Sequence, residues 1–196
     1  MSSILDVLTQ QLSGGTVQQL SSQLGTDPAS TQQAIGAALP LLLSAVGKQA
    51  ANPNTASGLL SALQQHDGSV LQDVSGYLSN GGDVQDGNGI LGHLLGGQTS
   101  TAANSLGAAT GLTASSSGQL LAMLAPLVMG AVGQAQQQQG LDASSLVGML
   151  SGHQQQADSL LGGIASQLLD SNHDGSIVDD VLKIGSNLLG GFLGKK

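Results

Sequence analysis

Arginine, glutamate, cysteine and tryptophan are all missing from these 196 residues. Without arginine the chain lacks the usual bidentate reader of phosphate and guanine. Its only cations are Lys48, Lys183, Lys195 and Lys196, and its net charge is -8, which repels a phosphate backbone. Nucleic acid is therefore not an expected partner. Without cysteine there are no disulfides, no thiol nucleophile and no cysteine-based zinc site. Aromatic residues are reduced to Tyr77 and Phe192, so a core must be built from Leu, Ile, Val, Ala and Met without large flat anchors. Charged residues make up 8% of the chain against roughly a quarter in an ordinary soluble domain.

Membrane and export signals are also sparse. Met1 to Asp6 carries no basic region ahead of an apolar run, so no cleaved secretory signal is expected. The strongest apolar runs, Ala37 to Val46 and Leu120 to Val132, are shorter than the ~20 residues of a transmembrane helix, and each contains a proline. The expectation is a protein with no transmembrane segment, cytoplasmic or exported by a route without a cleaved signal.

What is present is helical and repeated. Ile35, Leu39, Leu42, Leu43 and Val46 follow helical spacing, as do Leu120, Leu124, Leu127, Val128 and Ala131. Leu39-Pro40-Leu-Leu-Leu43 recurs as Ala125-Pro126-Leu-Val-Met129, with Pro126 standing 86 residues after Pro40. Leu59-Leu60-Ser-Ala-Leu63 recurs as Leu146-Val147-Gly-Met-Leu150. Asp27 followed by Pro28 reads as an N-cap and first helical position, and Thr113 as the second N-cap. The long helices these open, near 28–50 and 114–138, should be central because they are apolar on more than one face, and their prolines should kink them.

The predicted fold is all-α: a duplicated orthogonal helical array of two similar multi-helix units. An N-terminal helix occupies 1–15, the first repeat unit 16–97 and the second 98–196. Clusters of Gly, Asn and Asp, among them Asn80 to Gly89 and Gly96 to Thr101, read as connections between helices. The glutamine runs Gln136 to Gln139 and Gln154 to Gln156 should extend helices or loops into solvent.

One stretch reads as chemistry. Asp170, Asn172 and Asp174 stand at alternate positions ahead of Gly175, as at positions 1, 3 and 5 of a calcium loop. Ser176 would offer its backbone carbonyl. Calcium takes six to eight oxygens, and such a loop points several at one centre. A bidentate Glu is expected at position 12, where Val181 stands, so Asp179 or Asp180 would have to close the site. The competing reading of 170–180 is an Asx-rich turn whose acids cap the following helix. The equivalent place in the first unit runs from Asn80 to Gly89. Asp83 and Asp86 there have lost the alternate spacing, which predicts a metal-free or weak version, with a helix opening at Ile90.

No enzyme is expected. His66 and His153 each follow an apolar helix and read as helix-ending residues, and His93 as a packing or capping residue. No histidine pair has zinc spacing, and no serine sits in a nucleophile elbow. The expected function is a non-enzymatic structural or interaction protein, self-associating as a homo-oligomer, with calcium as the candidate cofactor. The alternative is a calcium-responsive binding module for another protein or a cell-surface component.

Four segments together carry a family resemblance: Ile90-Leu-Gly-His93-Leu-Leu-Gly96, Gly111-Leu-Thr-Ala-Ser115, Met123-Leu-Ala-Pro126-Leu-Val-Met129-Gly130 and Asp174-Gly-Ser-Ile-Val-Asp179-Asp180. In order and spacing they resemble the bacterial domain-of-unknown-function 937 family, which is similar to the YidB-like proteins. The resemblance implies a compact helical array and a bacterial source, and brings no activity or catalytic residue with it.

Overall fold

The described residues, 4–150 of a computed structural model, are helical, with no strand among them. Eight helices follow one another: α1 (Ile4–Gln11), α2 (Gly15–Leu24), α3 (Pro28–Ala51), α4 (Ala56–Gln65), α5 (Val74–Ser79), α6 (Val84–Leu95), α7 (Thr99–Thr110) and α8 (Ala114–Gln139). Two 3-10 turns, Ser69–Asp73 and Gly96–Gln98, join α4 to α5 and α6 to α7. A further helical stretch occupies 143–150.

The two proline-bearing helices form the interior. In α8 every residue from Leu120 to Gly133 is buried, and in α3 every residue from Ala38 to Gly47. Four turns of helix with no wet face require neighbours on all sides. α8 has them: α6 and α7 pack along it most extensively, and α1, α2, α3, α4 and the Ser69–Asp73 turn also touch it. Both helices are long and apolar enough to cross a membrane by length and composition alone. Their apolar stretches are 72% and 83% buried within the fold, so that apolar character serves internal packing.

With few large side chains available, the helices approach one another through glycine. Gly87 of α6 lies so close to α8 that a Cβ there would stand 1.9 Å from the Ala122 carbonyl oxygen. Gly133 of α8 meets the end of α4, where a Cβ would stand 2.1 Å from the His66 oxygen and 2.6 Å from that of Leu63. In a core that is otherwise mostly leucine, these two glycines place backbone against backbone where side chains interdigitate elsewhere.

The elements around the two long helices correspond. α2 ends at Gly25 and α7 at Gly111, both in the left-handed region (φ 64° and 75°). After each comes a short connection and an N-cap. The Asp27 side chain accepts from the Ala29 and Ser30 amides, and the Thr113 side chain from that of Ser116. Both capping assignments and both long helices agree with the sequence reading.

The connection read over Asn80 to Gly89 is shorter than expected, and this corrects the sequence reading. The helix opens at Val84 rather than Ile90, because Asp83 caps it by accepting from the Asp86 amide at 2.9 Å. Gly87 and Asn88, both poor helix formers, lie within α6, and the close crossing with α8 admits no larger residue at Gly87. Similarly, α7 begins at Thr99, inside the segment read as a connection from Gly96 to Thr101.

Candidate functional site

Asp170, Asn172, Asp174, Ser176, Asp179 and Asp180, the sequence-predicted calcium ligands, lie outside the described residues, as do His153 and His173. The first-unit counterpart is described, and it is built from helix ends. Asp83 caps α6 and donates its own amide to the Tyr77 hydroxyl at 3.0 Å. Asp86, one turn into α6, pairs through Oδ2 with His66 Nε2 at 3.2 Å. The other ring nitrogen of His66, Nδ1, lies 2.9 Å from the Ala62 carbonyl, so the histidine closes the C-terminal end of α4. Both ring nitrogens face acceptors, and the doubly protonated ring can donate to both. Burial raises the Tyr77 pKa; the Asp83 amide holds it back, and the charges of Asp83 and Asp86 add to the rise. Among the described residues no three His, Asp or Glu side chains gather to hold a metal ion.

This corner follows a rule that runs through the described chain. All seven of its aspartates stand at or next to a helix N-terminus. Asp27, Asp73 and Asp83 are N-caps, and Asp6 and Asp86 lie in first turns. Asp67 accepts from the Ser69 amide at 2.9 Å, and Asp142 from the Ser145 amide at 2.8 Å. These short side chains reach the unpaired amides of a first turn, and negative charge suits that end of the helix dipole. The absence of glutamate fits this use, since capping favours the shorter acid.

Lys48 stands in the last turn of α3, and hydroxyls of Thr55 and Ser116 reach the Gln49 and Leu24 oxygens; elsewhere glutamine amides and His66 meet helix ends. The Gln23 amide donates to the Leu78 oxygen at the end of α5. Gln49 donates to the His93 and Leu94 oxygens of α6 at 2.9 and 3.1 Å, and Gln136 to Leu141 at 3.1 Å. Sequence reasoning missed these glutamines because two of them reach carbonyls 44 to 55 residues away. Gln137 to Gln139 are exposed at the end of α8, as the glutamine run implied.

The caps make acid stability predictable. Asp27 is held below the ordinary 3.8 by the Ser30 hydroxyl and then by the Ser30 and Ala29 amides. Asp67 and Asp142 are held below it by the amides and hydroxyls of Ser69 and Ser145. A carboxylate whose pKa falls on folding stabilises the fold above its unfolded value, and loses that contribution as pH falls through the folded value. Thermal scans should therefore show a melting temperature insensitive to these three groups near neutrality and declining below about pH 4. Asp27→Asn, which still caps, should flatten part of that decline.

Two clefts open on the described surface. One, of 440 Å³, lies between α6, α7 and the start of α8, over Val84, Ala103, Ala114 and Gly118. The other, of 340 Å³, lies between the end of α3, α4, α6 and α8. Neither is lined by a carboxylate, a lysine or a nucleophile–base pair.

The class so defined is an all-helical bundle wrapped around a buried, proline-bearing central helix, with the described aspartates at or next to helix starts and glutamine amides at several helix ends. The chain belongs to a bacterial family of proteins of unknown function, DUF937, whose profile matches residues 6–136. No curated protein and no solved structure matches it.

Proposed function

We propose that this chain is a non-enzymatic structural or interaction protein that self-associates, built from two copies of one helical unit in an orthogonal array. The duplication is supported by the matched order of left-handed glycine, N-cap and proline-bearing helix at Gly25, Asp27 and Pro40 and at Gly111, Thr113 and Pro126. Self-association rests on the larger cleft. Its floor of Val84, Ala103, Ala114 and Gly118 admits a second helix at close range, and its rim of Asn88, Asn104 and Gln119 offers uncharged hydrogen-bonding groups. Neutral amides and hydroxyls pair with their own kind, so a like-charged copy meets no repelling side chain there.

The loop at 170–180 is proposed as a structural calcium site closed by Asp179 or Asp180. The capping use of the seven described aspartates gives the competing reading, a capped turn, a direct parallel in the same chain.

Sedimentation velocity over a hundredfold concentration range, with and without calcium, tests the function. The expected result is a weight-average coefficient that rises with concentration in both conditions. A rise only with calcium would favour the calcium-responsive module. A constant monomer value under both conditions would reject self-association.

A further inference from the structure

We propose that the 340 Å³ cleft between α3, α4, α6 and α8 binds a small, neutral, mainly apolar molecule carrying one hydrogen-bonding end. Its floor is aliphatic and thioether: Leu59, Ile90 and Leu94 are each 7% exposed and Met129 2%. Its mouth carries Asn54 and His93. Small-molecule sites are concave, mostly apolar, and oriented by a few polar groups, at volumes from about 300 Å³ upward.

The polar groups divide into two sets. The Gln49 amide is committed to the His93 and Leu94 backbone oxygens, and the Thr55 hydroxyl to that of Gln49. The Asn54 carboxamide and the His93 ring make no hydrogen bond within the described structure, so they are open to a ligand's polar end.

Charge narrows the class. No Asp or Lys lines the cleft, so a cation entering it would lose its water for no partner. An anion would have only an exposed imidazole to meet, on a chain of net charge -8. A neutral molecule pays neither cost. At about 30 Å³ per water-sized volume the cleft holds roughly ten heavy atoms, the size of a medium-length alcohol or a substituted ring.

Gly58 makes the site testable without disturbing the core. It lines the cleft, and a Cβ built there meets nothing within 4 Å. Gly58→Phe should therefore fill the cleft from its wall while the fold persists.

The experiment titrates the full-length protein with 1-hexanol and follows the Met129 methyl resonance, with Met123, buried elsewhere on α8, as internal control. Expected are a saturable Met129 shift with a dissociation constant of about 1 mM, a Met123 shift at least fivefold smaller, and binding at least tenfold weaker in Gly58→Phe. Hexanoate and hexylammonium should bind at least fivefold more weakly than hexanol. A Met129 shift that stays linear to the solubility limit would overturn the site. So would saturation unchanged in Gly58→Phe, and charged analogues binding as well as the alcohol would overturn the ligand class. Should Gly58→Phe fail to fold, Ala62→Leu, on the same wall, takes its place with the same expected loss.

Discussion

Gly87→Ala is expected to destabilise the protein by about 3 kcal/mol, at the upper end of overpacking penalties. The added methyl would lie 1.9 Å from the Ala122 carbonyl oxygen and 2.6 Å from its carbon. Both belong to the backbone of a buried helix, so no rotamer change relieves the clash and α6 must move bodily off α8. The melting temperature should fall by roughly 6–12 °C for a chain of this size. Gly36→Ala is the matched control. It adds the same methyl to the interior of α3, at an exposed position with nothing within 4 Å. There alanine's better helix propensity should raise stability by about 0.5–1 kcal/mol. Equal effects of the two substitutions would show that α6 and α8 do not meet through backbone.

Gly133→Ala should cost about 2–3 kcal/mol, with a second signature. Its methyl would meet the His66 oxygen at 2.1 Å and the Leu63 oxygen at 2.6 Å. Those carbonyls end α4, a ten-residue helix that can tilt, so the strain is partly relieved by movement. The tilt should carry the His66 ring away from Asp86 and break the 3.2 Å contact between them. Nitrogen NMR of the imidazole would report that loss directly. A destabilised variant with the His66 ring signals unchanged would place the clash elsewhere.

These two positions show what the sequence could and could not reveal. The long helices were legible because Leu, Ala and Val fill more than one face around Pro40 and Pro126, a pattern only an interior helix tolerates. Asp27 with Pro28, and Thr113, marked helix starts through local capping chemistry. The start of α6 was not legible. Gly87 and Asn88 have low helix propensity, and the packing that sets Gly87 against Ala122 lies 35 residues away. The same limit hid the glutamine contacts and the pairing of His66 with Asp86, since no local rule brings such partners together.

At the candidate site the sequence identified the right residue types at Asp83, Asp86 and His66. It read Asp83 and Asp86 as a metal-free or weak version of the calcium-like loop. The geometry uses both at the opening of α6, one as its cap and one to hold the end of α4. The aspartate-only acid composition fits the placement of all seven described aspartates at or next to a helix start. Among acids, the N-cap position favours the shorter one, and Asp27, Asp73 and Asp83 serve there.

The central claim is that α8 organises the fold, with α3 and the shorter helices α1, α2, α4, α6 and α7 docked on its buried surface. Native-state hydrogen exchange tests it most directly. Amides from Leu120 to Val132 should be among the slowest in the described chain, exchanging only through global unfolding, while those of α1 and α4 open through smaller, local events. Exchange along α8 as fast as that along α1 or α4 would contradict the claim.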